Sequence, residues 1–375
     1  MEEKQRDLLE ESIIIDALSH GPILWTEDLI DESERKLNGG MDPWRIVQEI
    51  IMTFAHKLVV DDNYFKKYKQ AWNQCKVSCV SWTVGPIYEK PYTFEGIFHN
   101  FAFLTHLLDN RKDFFRKILR AEDIYQAAEH NQKGIIINLQ DLGPIKEDLE
   151  MVDLFYMMGI RIMQLTLNTR NSIGTGCLAR RDRGLTQFGE EVINRMNQKG
   201  IVIDVSHCGP KTTEDAVRAS EDPIMATHTS AANIYSHPRA KSDDLIKSIA
   251  NSGGFIGVLT IQGFISDKFQ PLIDEWLDHI DYIINLAGIE HVGIGSDYYG
   301  QSLPSKLAKK LDDFLSKLGM GPEHGGSFAY KMNKFEEYQD FPNLIEGLIS
   351  RGYSTQEIKK ISGENFLRIF KDIVG

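Results

Sequence analysis

Two histidines stand at matched places in the chain. His207 ends the run Gly200-Ile201-Val202-Ile203-Asp204-Val205-Ser206-His207, and His228 ends Pro223-Ile224-Met225-Ala226-Thr227-His228. Imidazoles on neighbouring strand ends can share one metal ion, for which histidine is the commonest ligand. Such an ion would bring the pKa of water close to neutrality. Asp297 ends a third apolar run, His291-Val292-Gly293-Ile294-Gly295-Ser296-Asp297. A carboxylate there is costly unless it meets a cation, a metal or a proton to move. It could take a proton from water and return it to a leaving amine. His20, Gln140 and Asn168 are further polar residues at the ends of apolar runs, and Arg239 in His237-Pro238-Arg239 could grip a carboxylate through two parallel hydrogen bonds. Each has a plainer reading. A lone histidine often satisfies backbone groups in a core, an aspartate can cap a loop, and an arginine is as readily a solvated surface residue. The matched histidines, with Asp297 completing the set, favour function.

A parallel barrel would position these residues. Continuous β-branched runs such as residues 201–205 suit strands buried on both faces. Residues 211–220, between the two histidine runs, read as a helix. The same alternation extends along the chain. Strand candidates are residues 12–18, 76–84, 134–140, 160–167, 200–207, 223–228, 254–259 and 291–297. Helical patterns cover residues 43–69, 93–108, 111–131, 146–158, 186–199, 242–252 and 272–287. The expected fold is α/β, a TIM-type (β/α)8 barrel forming a single domain over residues 1–375. Residues 303–375 would be a helical C-terminal extension, with a glycine-rich loop near 319–326. In such a barrel the chemistry lies at the C-terminal strand ends.

Composition narrows the partners. With 375 residues, 42% hydrophobic and 26% charged, the chain reads as an ordinary globular protein. A net charge of -12 argues against nucleic acid. The charged N-terminus lacks an apolar signal core, and no stretch approaches the ~20 apolar residues of a membrane span. Four cysteines (Cys75, Cys79, Cys177 and Cys208) are too few for a disulfide framework, so reduced thiols and a cytoplasmic location are expected. Cys208, next to His207, is expected to line the site.

At these residues the chain resembles the membrane (renal) dipeptidase family, peptidase family M19, among the amidohydrolase-like barrels. Gly184-Leu185-Thr186-Gln187-Phe188-Gly189 is similar to the family's G-L-T/S-x-F-G segment. Asp204-Val205-Ser206-His207 is similar to its D-x-S/A-H, Thr227-His228-Thr229-Ser230-Ala231 to its S-H-S-x-A, and Gly295-Ser296-Asp297-Tyr298-Tyr299-Gly300 to its G-x-D-F-D-G. Arg239 falls on the family's R-N position, with Ala240 in place of Asn. The resemblance implies a two-zinc hydrolase of dipeptides, usually a homodimer. One ion would be held by an H-x-D pair after strand one and by the Asp after strand eight, the other by the two histidines. A Glu would bridge them, and a His on strand four would meet the substrate carbonyl. This chain has Leu18 and His20 at the H-x-D positions, Gln140 at the bridge and Leu167 at the strand-four His. Leucine cannot ligate, and a neutral amide does not offset the repulsion of two dications. The expectation is therefore a metal-dependent hydrolase of a dipeptide or related small amide. It would hold one zinc ion rather than two on His207 and His228, with His20 or Gln140 as third ligand. Asp297 would be catalytic, and Arg239 and Asn168 would contact the substrate. The alternatives are a one-metal or metal-free barrel enzyme on another small zwitterion, or a non-catalytic binding protein.

Overall fold

A computed structural model describes Leu9 and residues 12–84, 94–268, 270–298, 303–317 and 331–375. Nine strands, all paired in parallel, are found among these residues. They are β1 (Ile15–Asp16), β2 (Cys79–Thr83), β3 (Phe115–Lys117), β4 (Lys133–Leu139), β5 (Ile160–Gln164), β6 (Val202–Asp204), β7 (Met225–Thr229), β8 (Phe255–Val258) and β9 (Val292–Ile294). The order is β1-β2-β4-β5-β6-β7-β8-β9, with β3 set beside β4 off that path. The ring closes where the Ala17 N–H donates to Ile294 O at 2.9 Å and the Asp297 N–H to Leu18 O at 2.9 Å. The buried Asp16 carboxylate fastens this seam. It accepts from the Ser296 N–H at 2.8 Å, from the Ser296 hydroxyl and from the Tyr338 hydroxyl at 3.0 Å. The chain thus forms the expected TIM-type barrel with helices around it.

Local residues set the helix ends. Thr186 Oγ1 accepts the Gly189 N–H at 2.9 Å to open helix Gln187–Lys199, which Gly200 closes at φ 66°. Pro210 opens helix Pro210–Ala219. One expectation fails at residues 111–131, read as a single helix. The structure places β3 there, followed by helix Ala121–Glu129. Phe114 and Phe115 are buried while Arg116 reaches Gln132 and Gln126, so packing on β4 overrides a helical pattern carried by only a few apolar positions. Residues 291–297 are likewise less regular than expected. His291 lies in a 3₁₀ turn, Ile289–His291, before β9. The glycine-rich loop near 319–326 lies outside the described residues. No helix among the described residues is long and apolar enough to cross a membrane.

The barrel's N-terminal end is stoppered. Phe366, Phe370 and Ile373 of helix Asn365–Val374 share a buried cluster with Ile15, Ile136, Ile162, Val202, Met225 and Phe255. The C-terminal end carries the site. Two glycines there permit a close approach. A Cβ added at Gly257 or Gly295 would overlap the Thr227 carbonyl oxygen, so β8 and β9 fold tightly against the residue preceding His228.

Candidate functional site

The two histidines converge because β6 and β7 part early. Their register is limited to Asp204 opposite Met225, with the Val205 N–H donating to Met225 O at 2.8 Å. Beyond that point side chains take over the ladder's hydrogen bonds. The Thr227 N–H donates to Asp204 Oδ1 at 3.1 Å, and the His228 N–H to Ser206 Oγ at 3.0 Å. The two carbonyls left over are met by Arg239, whose guanidinium donates to Ser206 O and, at 3.0 Å, to His228 O. Buried backbone groups need partners. Here polar side chains supply them while the strand ends tilt their histidines together.

The His207 and His228 Nε2 atoms lie 2.9 Å apart, with ring centroids at 5.0 Å. The other nitrogen of each ring is occupied. His207 Nδ1 is 2.7 Å from Asn168 Oδ1, an oxygen that only accepts. His228 Nδ1 is 2.8 Å from Thr227 Oγ1, whose own hydrogen points at Asp204 Oδ2 across 2.5 Å. Both rings therefore carry hydrogen on Nδ1 and turn a lone pair out through Nε2. Burial, with Arg239 beside them, holds both imidazoles well below their usual pKa, so both are neutral. Two lone pairs facing each other at this distance repel unless a cation or a proton lies between them.

Gln140, also buried, lies with Nε2 3.3 Å from His228 Nε2. Its backbone carbonyl accepts from Gln164 Nε2 at 2.5 Å. The structure thus joins His207, His228, Gln140 and Asn168 in one chain of contacts. Asp297 lies instead at the β1–β9 seam, and His20 lies past β1 against β2. His20 sits edge-on to Trp82 at 5.7 Å, and burial pushes its pKa down to about 4. Leu18 is buried and offers no donor. Asp297 adopts φ 54°, the left-handed region that aspartate tolerates better than most residues. Burial pushes its carboxyl up to about 7 against the pull of Arg239, and the charges of Asp16 and Asp204 push the same way. Arg239 is fully buried. Because its terminal nitrogens already meet the Ser206 and His228 carbonyls, Arg239 is committed to the strand ends rather than held ready for the bidentate carboxylate grip expected of it, and its Nε has no partner among the described residues. Among the described residues, no group of three or more His, Cys, Asp or Glu side chains gathers to hold a metal.

Sequence reasoning missed three members of this site. Asp204 accepts from the Ser206 and Thr227 amides and, at 2.5 Å each, from both their hydroxyls. Lys241, buried and pushed down to about 8 by burial, donates to Cys208 O at 2.8 Å and Thr213 Oγ1 at 3.1 Å. Cys177 holds the loop after β5 over the site. Its N–H donates to His207 O at 2.8 Å, and its thiol points at Asn168 Oδ1. The signal for Asp204 was an ionisable residue inside an otherwise apolar run, the same signal that singled out Asp297.

Known proteins match this chain in sequence and fold. The family model for membrane dipeptidase (peptidase family M19) matches residues 2–320 and 315–374. An uncharacterized dipeptidase of Schizosaccharomyces pombe is 31% identical over 261 residues, covering 67% of this chain and 56% of that protein's own length. An amidohydrolase from Pseudomonas aeruginosa superposes with a TM-score of 0.76 at 27% identity, covering 98% of each chain. A metallo peptidase from Rhodobacter sphaeroides, liganded with a phosphinate mimic of the dipeptide L-Ala-D-Ala, shares the fold at a TM-score of 0.69 and 16% identity, covering 85% of this chain and 97% of that one. Motifs, fold and family match converge, and the chain belongs to the membrane dipeptidase family of hydrolases, peptidase family M19.

Proposed function

We propose that the protein hydrolyses dipeptides or closely related small amides with the help of one divalent ion, zinc by the family's habit, held by His207 and His228. The observation that carries this reading is the pair of Nε2 lone pairs 2.9 Å apart, each fixed by a hydrogen bond on the far side of its ring. That donor set suits a single cation, and such outer hydrogen bonds are the usual support of histidine ligands. Gln140 can turn its amide oxygen to the same place as a neutral third donor. The family's two-ion form does not suit these residues. Leu18 replaces a ligand, Gln140 cannot bridge two dications, and His20 faces Trp82.

A divalent ion, when bound, would acidify water and polarise a substrate carbonyl. The chain's own residues would do the rest. Asp297, with its pKa near neutrality, takes a proton from water and delivers it to the departing amine. Asn168 keeps the His207 ring in place, and Arg239 frames both histidines from beneath. Elemental analysis after incubation with zinc, paired with a dipeptide panel, tests the reading. It expects one ion per chain and turnover of at least one dipeptide. Two ions would mean a rebuilt binuclear centre. No ion would leave a metal-free barrel enzyme or a binding protein.

The loop at residues 168–184 bears on the substrate. It contains Arg170, Arg180, Arg181 and Arg183 against the single acid Asp182, in a chain of net charge -12. All four arginines are exposed. Asp182 is occupied locally, accepting from the Gly184 N–H at 2.8 Å and the Lys211 N–H at 2.7 Å. A cationic rim beside the site steers anions toward it. Dipeptides with an aspartate or glutamate residue should therefore show kcat/KM about tenfold above their amide counterparts. The advantage should shrink several-fold between low and ~0.5 M salt, where screening is nearly complete. Equal rates at all salt concentrations would remove the rim from the account.

A further inference from the structure

We propose that Asp204, acting through Thr227 and Ser206, is the positioning residue that sets the tautomer and placement of His228. The proposal rests on the reading of His228 as a ligand and concerns what makes it one. Asp204 is buried at the end of β6, three residues before His207, and its two oxygens accept four hydrogen bonds. Two of these donors lead onward to His228. The Thr227 hydroxyl gives its hydrogen to Asp204 Oδ2 at 2.5 Å, so its oxygen is left to accept from the ring Nδ1–H at 2.8 Å. The Ser206 hydroxyl gives its hydrogen to Asp204 Oδ1 at 2.5 Å, so its oxygen is left to accept the His228 backbone N–H at 3.0 Å. One carboxylate thereby orients both hydroxyls, and through them both the ring and the backbone of the same histidine.

The geometry leaves the relay little slack. Thr227 is wholly buried, and its carbonyl is pressed by Gly257 and Gly295. A hydroxyl held this way is a fixed acceptor, and a histidine facing a fixed acceptor carries its hydrogen on Nδ1. Without that acceptor the hydrogen is free to move to Nε2, and the lone pair that faces His207 disappears. His207 owes its tautomer to a different neighbour, Asn168, so Asp204 sets one member of the pair and leaves the other to its own support. The alternative is that Thr227 is only a β-branched packing residue. Valine would then serve as well, and serine less well.

The test compares Thr227→Val, which keeps shape and removes the hydroxyl, with Thr227→Ser, which does the reverse. Two readouts are taken on the full chain. One is the tautomer of His228 from ¹⁵N-histidine NMR of metal-free protein, assigned by loss of its signals in His228→Ala. The other is cobalt(II) affinity by competition with a chromophoric chelator. Wild type and Thr227→Ser are expected in the Nδ1–H form with similar affinity. Thr227→Val is expected to shift toward Nε2–H and to bind cobalt about 10–100-fold more weakly, the usual cost of losing an outer-shell partner. Asp204→Asn is expected to follow Thr227→Val. If Asp204→Asn does not fold, the threonine pair alone decides. An Nε2–H tautomer in wild type, or an unchanged tautomer and affinity in folded Thr227→Val, overturns the proposal. Should wild type bind no cobalt, the one-ion reading fails by itself, and the NMR comparison still decides whether Asp204 sets the ring.

Discussion

His228→Ala is expected to lower kcat/KM for dipeptide hydrolysis about a thousandfold and to leave the barrel folded. The size follows from what is removed. A bound ion lowers the barrier by several kcal/mol, and each ~1.4 kcal/mol is a factor of ten in rate. With one of two converging nitrogens gone, His207 alone would not retain the ion at working concentrations. The fold should persist because the contacts that tie residue 228 into the sheet are made by its backbone. Its N–H meets Ser206 Oγ, and its carbonyl meets Arg239. Thr227 Oγ1 loses the ring's hydrogen but keeps its own bond to Asp204. The measurement is a steady-state assay with metal content and a melting curve on the same preparation. Full activity in a folded variant would remove the metal-site argument. Lost activity with unchanged metal content would give His228 a role other than ligand.

Asp297→Asn should lower kcat about 10²–10⁴-fold, the usual worth of a positioned acid–base group. It should also alter two pH dependences. In the proposed mechanism the ionised carboxylate is the working form, so activity should rise with pH through about 7. The variant's residual rate should lack that inflection. Stability should run the other way. The folded-state pKa, about 7, lies above the ordinary 3.8, so between these values the folded chain holds a proton that the unfolded chain has released. Stability contributed at this position therefore falls as pH rises through the window and is lowest above it. A neutral asparagine avoids that penalty. The residue is part-exposed, so water screens much of the effect, and the gain expected at pH 8 is about 1 kcal/mol, vanishing at pH 4. A pH–rate profile and melting curves at both pH values check this. An unchanged profile would give the proton transfer to another group.

The barrel was legible because its signals are local. Runs such as Ile201–Val205 between polar ends mark buried parallel strands, and Gly200 and Thr186 mark helix ends without reference to the rest of the chain. The histidine pair was legible for the same reason, as each residue ends its own apolar run. What could not be read was how side chains substitute for sheet. β6 and β7 are shorter than their apolar runs because Asp204, Ser206 and Arg239 take over the ladder's hydrogen bonds, and the sequence names those residues without saying whom they meet. Arg239 is the clearest case. A guanidinium facing water and one buried under two strand ends are written with the same letter. β3 was hidden for a related reason, since its three residues owe their conformation to β4 alongside rather than to any period of their own.

The helix that stoppers the barrel also bears on how the chain is made. Phe366, Phe370 and Ile373 complete a cluster whose other members come from strands spread over residues 15–255. During synthesis those strands leave the ribosome well before residues 365–374 exist. Chains fold as they emerge, at ~5–20 residues per second, so the nascent barrel passes several seconds with an open, greasy base. A ribosome that stalls before residue 365 would release a product whose histidine-bearing end is assembled and whose opposite end invites chaperones, proteases or its own siblings. For this protein, quality control of translation would be felt strongly over the codons for residues 365–374, far along the message from His207 and His228.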